Sequence, residues 1–222
     1  MKFNSFSDVR DHFKKEARDW YLEYQQRHAG ESIYGVTFHT DDDANSPSYL
    51  AFTNEAFAAT TQPSGDGLFA MWFTIPWRWD VVEWNDPRPE FRVPNREVSP
   101  EEIQALTDEM AERDRFREEW CARPGNSFEL YRKESLKAMA EALAALDAEG
   151  LFGVGRERDQ ITLFISMSDS PLAGLIDRES AARLNPWRSA RRLTFGGPLA
   201  LNCLMATYYI FRYLVRGRII PR

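Results

Sequence analysis

The residues most able to perform chemistry are a histidine and three aspartates. His39 is closely followed by Asp41 and Asp42, and Asp169 ends a later strand-like run. Histidine titrates near neutral pH and a neighbouring carboxylate can orient its ring, so His39 could serve as a general base. No nucleophile motif such as Gly-x-Ser-x-Gly accompanies it, and Asp169 also occupies a helix-cap position before Ser170-Pro171. We therefore assign no catalytic residue, and keep as an alternative an enzyme of unknown class that uses these four side chains.

The acidic stretch after His39 also resembles the start of a calcium-binding loop. Asp41, Asp43 and Asn45 have the spacing of the first three ligands of such a loop. Ser46 and Phe52 then stand where the loop needs its turn glycine and its bidentate glutamate. The pattern therefore favours a solvated turn between two strands. We predict no metal ligand and no cofactor.

Aromatic residues are concentrated in one short segment. Trp72, Trp77, Trp79 and Trp84 fall within thirteen positions, and tryptophan and arginine are enriched at the centres of protein interfaces. Packing in the core is the favoured alternative for Trp72 and Trp84, whereas Trp77 and Trp79 share one face of an extended segment. The candidate partner-binding residues are Trp77, Arg78, Trp79, Trp84, Asp41 and Asp42.

The charge of the chain is unevenly distributed. Residues 183–222 contain eight arginines and no acidic residue, although the whole chain has a net charge of −6. The preceding residues hold the other 20 basic side chains and all 34 acidic ones, a net charge of −14. An acidic body suits a basic protein partner and repels nucleic acid. With only two cysteines and no apolar leader at the N-terminus, we expect a cytoplasmic protein.

The C-terminal segment has a composition of its own. Residues 198–215 are largely apolar but are interrupted by Asn202 and Arg212, and a membrane span needs about 20 apolar residues. We expect a helix that docks on the body or on a second copy, which would form a homo-oligomer. Contact with a membrane surface is the second interpretation. The residues expected to make these contacts are Arg191, Arg192, Tyr208, Tyr209, Arg212 and Arg216.

Helical and strand periodicities alternate along residues 1–186. An apolar stripe predicts a first helix over residues 7–27. His12 and His28 lie on or at the end of this helix, which we expect to be exposed, so both are predicted to be surface histidines. A capping box at Ser99 begins a second long helix, with an apolar seam of Ile103, Leu106, Met110, Phe116 and Trp120. Further helices are predicted over residues 54–59, 126–149 and 169–185, and strands over 32–39, 49–52, 68–75 and 160–168.

This order of elements predicts an α+β fold. We expect a mixed, mainly antiparallel sheet with helices packed on it. Residues 1–186 would form a single globular domain, and residues 187–222 a basic, apolar and helical tail.

Several separated motifs resemble one family. They are Tyr34–Asp42, Trp77-Arg78-Trp79 with Glu83-Trp84, Gly150–Gly153 leading into Ile161-Thr162-Leu163, Asp169, and Leu184-Asn185-Pro186. Together they resemble a bacterial family catalogued as domain of unknown function 4303, over roughly residues 5–186. The resemblance implies a compact bacterial cytosolic domain, and it supplies no catalytic residue. Families of this kind often accompany secreted toxins as candidate immunity proteins. We therefore hypothesise a non-catalytic protein-binding module, an immunity-type neutraliser of a basic toxin domain.

Overall fold

The computed structural model describes residues 2–45, 47–59, 99–168, 173–187 and 189–190. Five helices and three strands occur in these residues: α1 (Phe6–Arg27), β1 (Ile33–Thr40), β2 (Ser48–Thr53), α2 (Asn54–Ala59), α3 (Pro100–Cys121), α4 (Phe128–Ala148), β3 (Thr162–Met167) and α5 (Ala173–Leu184). A 3-10 turn, Arg158–Gln160, precedes β3. The expected α+β class is confirmed. The strand predicted at 68–75, the tryptophan segment and the candidate contact residues of the tail lie outside the described residues.

The sheet is mixed and has the order β2-β1-β3 in the described residues. β1 pairs with β2 in antiparallel fashion, with Phe38 opposite Tyr49. β1 pairs with β3 in parallel, with Phe38 opposite Ile165. Since parallel neighbours require a crossover connection, the long path through α3 and α4 between β1 and β3 supplies it.

One face of the sheet is covered by α1 and α4. Val36 and Phe38 of β1 and Leu163 of β3 enter the main core there. α1 begins at a capping box in which the Ser5 and Asp8 side chains satisfy each other's backbone N–H groups, which leaves its apolar side free to pack on the sheet.

The other face carries a smaller core against α5. Leu50, Phe52 and Phe164 lie there with Ala181 of α5. Tyr34 belongs to this second group, although strict alternation along β1 would place it on the same face as Val36. The register of β1 on β2 shifts between Ile33 and Gly35, and such a bulge turns a side chain to the opposite face.

The histidines of α1 correct one expectation. His12 is only 7% exposed and His28, at the C-cap, only 4%, so neither lies on an exposed side of the helix. His28 stacks on Tyr24, with 4.0 Å between ring centroids. The helix therefore buries a wider arc than its apolar residues alone indicate.

The seam predicted on α3 is divided between two environments. Phe116 is buried and packs edge-on against Phe6, and Trp120 is half-buried. Ile103, Leu106 and Met110 are 54, 57 and 57% exposed. Only the second half of α3 is therefore integrated into the described core.

Packing against the body continues past the predicted domain boundary at residue 186. Ser189 is fully buried, its Oγ donates to Asp159 O at 2.9 Å, and its carbonyl accepts from Thr162 Oγ1 at 3.1 Å. Ala190 is buried as well. Among the helices in the described ranges, none is long and apolar enough to cross a membrane.

Candidate functional site

Four ionisable side chains meet between α1 and α3, and we call them the His12 cluster. His12 and Glu16 lie one helical turn apart on α1, and Glu109 and Arg113 lie one turn apart on α3. Side chains at i and i+4 lie on the same helix face, so the two pairs can oppose each other across the helix interface. His12 and Arg113 are 7 and 6% exposed, whereas the side chains of Glu16 and Glu109 are 31 and 23% exposed.

The contacts within the cluster are short and converge on one imidazole nitrogen. His12 Nε2 lies 2.9 Å from Glu109 Oε1 and 3.2 Å from Glu16 Oε2. Arg113 Nη2 lies 3.0 Å from the same Nε2 and 3.3 Å from Glu16 Oε2. Arg113 also pairs directly with Glu109. Two carboxylates and two potential cations are thus packed at hydrogen-bonding distance.

Donors and acceptors around His12 Nε2 cannot all be satisfied at once. Arg113 can only donate and the carboxylates, when ionised, can only accept. A protonated Nε2 donates to a carboxylate but cannot bond to Arg113, and a bare Nε2 accepts from Arg113 but faces both carboxylates. The protonated form gives a cluster of two positive and two negative charges and is therefore favoured.

The electrostatics of the cluster follow from this balance. Burial lowers the pKa of His12, but the hydrogen bonds to Glu109 and Glu16 and their negative charges raise the pKa to about 9. Burial alone would raise the pKa of the Glu16 carboxyl. The hydrogen bond and the positive charge of His12 outweigh this effect, so the pKa of Glu16 is lowered. In the resting protein His12 is an imidazolium between two carboxylates.

Neutral side chains brace the cluster from the sheet side. Tyr49 of β2 donates its hydroxyl to Glu16 Oε2 at 2.8 Å, and burial raises the pKa of Tyr49, which keeps the phenol protonated. Arg113 Nη1 donates to the carbonyl of Asn45 at 3.3 Å. The Asn45 amide accepts from Tyr131 of α4 at 2.8 Å and donates to Asp114 at 3.0 Å.

The acidic turn after β1 therefore contributes to structure in two places. Asp43 forms an ion pair with Arg117 of α3 at 3.0 Å, and Asn45 is nine-tenths buried in the bracing network. Asp41 and Asp42 are exposed, and their contact with a partner stays a prediction. The contacts of Asp43 and Asn45 tie the turn to α3 and α4.

The residues considered for acid–base chemistry are described only in part. His39 is half-buried on β1, opposite Ser48 of β2 and Ser166 of β3. Asp169 lies outside the described residues, as do Trp77, Arg78, Trp79 and Trp84. Their convergence in one cleft or on one surface stays a prediction.

Sequence reasoning missed the His12 cluster, although its signal was present. A histidine and a glutamate four residues apart on one helix, and a glutamate and an arginine four apart on another, are visible in the sequence. Only the tertiary contact of α1 with α3 shows that these two pairs face each other.

The comparisons with known proteins identify a family. The family model for the domain of unknown function DUF4303 matches residues 13–186. The chain belongs to this family. The DUF4303 match includes Glu16, Glu109 and Arg113 of the cluster and begins one residue after His12. No curated protein and no solved structure matches the chain.

Proposed function

We propose that this DUF4303 protein is a protein-binding module for a basic partner, and that it acts as an immunity-type neutraliser of a toxin domain. The observation that carries the proposal is the outer half of α3, residues 100–112. Ile103, Leu106 and Met110 recur at steps of three and four residues and are all more than half exposed, so they form one apolar stripe on the helix surface.

The charge around this stripe indicates the chemistry of the partner. Residues 100–112 contain five acidic residues and no basic one. Two of the five, Glu109 and Glu112, are paired with Arg113 and Arg115. Glu101 and Asp108 are exposed beside the apolar stripe. An apolar stripe with an acidic border complements a basic surface that carries an apolar anchor, and opposite charge accelerates the encounter of two proteins. Two copies of this face would repel each other, which favours a different protein as the partner.

The structure of α3 is suited to presenting such a stripe. Its second half is held by buried Phe116 and by the contacts of Arg113 with α1. Its first half extends outward with exposed side chains at nearly every described position. A helix that is anchored at one end offers a preformed surface, and preformed surfaces lose less conformational entropy on binding.

Site-specific photocrosslinking in the source cells tests this proposal. A photoreactive phenylalanine analogue replaces Leu106 in one protein and Val154 in another. Val154 is a matched control because it is an apolar side chain, 73% exposed, located outside α3. We expect a covalent adduct with a basic protein from position 106 and none from position 154.

The captured protein must then be purified and mixed with the intact chain. Binding that is measured by calorimetry and lost in Leu106→Asp but kept in Val154→Asp supports the proposal, as does inhibition of the partner's toxicity. Equal adducts from both positions, an adduct only with a second copy of the chain, or unchanged binding by Leu106→Asp would overturn it.

A further inference from the structure

The His12 cluster contains a set of side chains that could bind a metal ion, whether or not the apolar stripe of α3 binds a partner. We infer that His12, Glu16 and Glu109 form a binding site for a divalent transition-metal ion, with Zn²⁺ as its typical ligand. One nitrogen and two carboxylate oxygens, one from each residue, lie within 4.8 Å of one another. Imidazole nitrogen together with carboxylate oxygen is a donor set found in zinc sites.

The separations between these atoms suit a small ion. His12 Nε2 is 2.9 and 3.2 Å from its two carboxylate neighbours. In a tetrahedral site with metal–ligand bonds of about 2.1 Å, neighbouring ligand atoms lie about 3.4 Å apart. For the two pairs that include His12 Nε2, shifts of a few tenths of an ångström reach this spacing, and the two carboxylate oxygens lie within 4.8 Å of each other.

Arg113 marks the place where positive charge is accommodated. Its Nη2 contacts all three prospective ligand atoms, at 3.0 Å from His12 Nε2, 3.3 Å from Glu16 Oε2 and in direct contact with Glu109. The two hydrogens of Nη2 can reach the two carboxylates, but the guanidinium cannot bond to a protonated Nε2. A divalent ion can bind all three ligands at once.

A second observation is that one N–H group of the Arg113 guanidinium has no hydrogen-bond partner in the part of the chain that the structure describes. Arg113 is only 6% exposed, yet its Nε has no hydrogen-bond partner within the described residues. An unpaired buried donor costs about 1–3 kcal/mol. Displacement of Arg113 also breaks its bonds to Glu16, Glu109 and the carbonyl of Asn45, so the charge of the ion has to replace that of the guanidinium. Entry of the ion requires Nε2 to release any proton that it carries to solvent.

The surroundings of the ligands fit a metal site as well. Tyr49 donates to Glu16 Oε2 at 2.8 Å and would orient that carboxylate. Glu16 and Glu109 keep 31 and 23% of their side chains exposed, which provides a path for the ion. Three protein ligands leave the fourth tetrahedral position to a water molecule.

Zinc titration of the full-length, untagged chain tests the inference. The protein is freed of metal with a chelator, and Zn²⁺ is titrated in competition with a chromophoric chelator. We expect one equivalent to bind with a Kd in the micromolar range or below. His12→Gln and Glu109→Gln should weaken the affinity by about 100-fold or more and Tyr49→Phe by about tenfold, following the usual losses for metal-site ligands and their supporting groups.

Two further variants make the outcome decisive. Arg113→Gln should tighten zinc binding, because it removes the competing cation. His28→Gln should leave zinc binding unchanged, although His28 is also a buried histidine paired with a glutamate, Glu31, at 3.2 Å.

The intact chain supplies a readout that does not depend on how well any variant folds. Zinc should shift the ring resonances of His12 in the NMR spectrum and leave those of His28 and His39 in place. Zinc affinity weaker than millimolar in the intact chain, or affinity equal in His12→Gln and the wild type, would overturn the inference. A ring shift confined to another histidine would do the same.

Discussion

At the scale of single residues, His12 shows how burial and pairing compete. Its ring packs edge-on against Phe3, with 5.3 Å between centroids, and an apolar contact of this kind favours the neutral imidazole. Two carboxylates at 2.9 and 3.2 Å favour the imidazolium more strongly. The charge of His12 is therefore a component of the fold's stability.

This balance predicts a specific pH dependence for the metal-free protein. The pKa of His12 rises from 6.5 to about 9 on folding. A raised pKa contributes stability that is fully present below pH 6.5 and is lost as the pH rises to about 9. With about 1.4 kcal/mol per pKa unit, the free energy of unfolding should fall by up to about 3 kcal/mol over that interval.

Chemical denaturation at several pH values, in the presence of a chelator, measures this slope. His12→Gln should flatten it, and His39→Gln, a control for the loss of a histidine, should retain it. A slope that is the same in the wild type and His12→Gln would contradict an imidazolium at position 12.

The side chain of Asn185 takes the place of a backbone partner for β3. Its amide accepts from Leu163 N at 2.8 Å and donates to Leu163 O at 2.6 Å and to Ala181 O at 2.8 Å. The side chain thus bonds both polar backbone groups of a residue on β3. This gives the Leu184-Asn185-Pro186 motif a structural role.

Substitution of Asn185 should therefore lower the free energy of unfolding, by an amount that depends on whether the new side chain can both donate and accept hydrogen bonds. Asn185→Ala leaves buried backbone groups unpaired and should lower the free energy of unfolding by about 2–3 kcal/mol. Asn185→Asp keeps the shape but replaces the donor by an oxygen that faces two carbonyls, so it should cost at least as much at pH 7. Urea denaturation measures both, and an aspartate variant as stable as the wild type would refute this role.

At the scale of elements, α3 combines an anchoring half with a presenting half. Phe116 lies in the core between Phe6 and Tyr131, with ring centroids 5.3 and 6.2 Å away. Leu106, three turns earlier, is 57% exposed. The same helix therefore contributes to stability at one end and to surface chemistry at the other.

Alanine substitutions along α3 should reveal this division. Phe116→Ala removes a buried aromatic ring and should destabilise the protein by about 3–5 kcal/mol. Leu106→Ala removes an exposed side chain and should change stability by no more than about 0.5 kcal/mol. Thermal and urea denaturation test both, and a large loss of stability in Leu106→Ala would mean that the stripe belongs to the core.

The elements themselves could largely be predicted from sequence. The apolar stripe of α1, the alternation of β3 and the capping pattern at Ser99 before α3 are local patterns, and they led to the correct element types. The bulge that turns Tyr34 and the parallel pairing of β1 with β3 depend on contacts between distant segments. The exposure of Ile103 could not be predicted either, because helical spacing alone does not tell which part of a stripe meets the core.

The candidate site was less predictable for the same reason. His12 was expected on an exposed helix, and its burial follows from the approach of α3 about 100 residues later. Asn45 was interpreted as a turn residue, yet it connects Tyr131, Asp114 and Arg113. Buried polar networks of this kind are assembled by tertiary contact and leave only weak local signals.

At the scale of the whole molecule, charge asymmetry is the property most relevant to function. The chain before residue 183 has a net charge of −14, and residues 100–112 concentrate five of its acidic side chains. Attraction to a basic partner should then depend on ionic strength, because salt screens exposed charges with a Debye length of about 8 Å at 0.15 M. The association rate should fall by about tenfold or more between 0.05 and 0.5 M NaCl. Stopped-flow mixing with the crosslinked partner measures this rate, and a rate independent of salt would contradict a partner chosen by charge.

The central claim is that the acidic, apolar outer half of α3 is the surface that binds the partner. The most direct measurement is the equilibrium affinity of the purified partner for the wild type, for Leu106→Asp and for Val154→Asp, with thermal unfolding of each variant recorded in parallel. We predict that Leu106→Asp weakens binding by at least about 100-fold, as expected at the centre of an interface, while its melting temperature and the affinity of Val154→Asp stay at the wild-type values. A folded Leu106→Asp variant that binds as tightly as the wild type would contradict the claim.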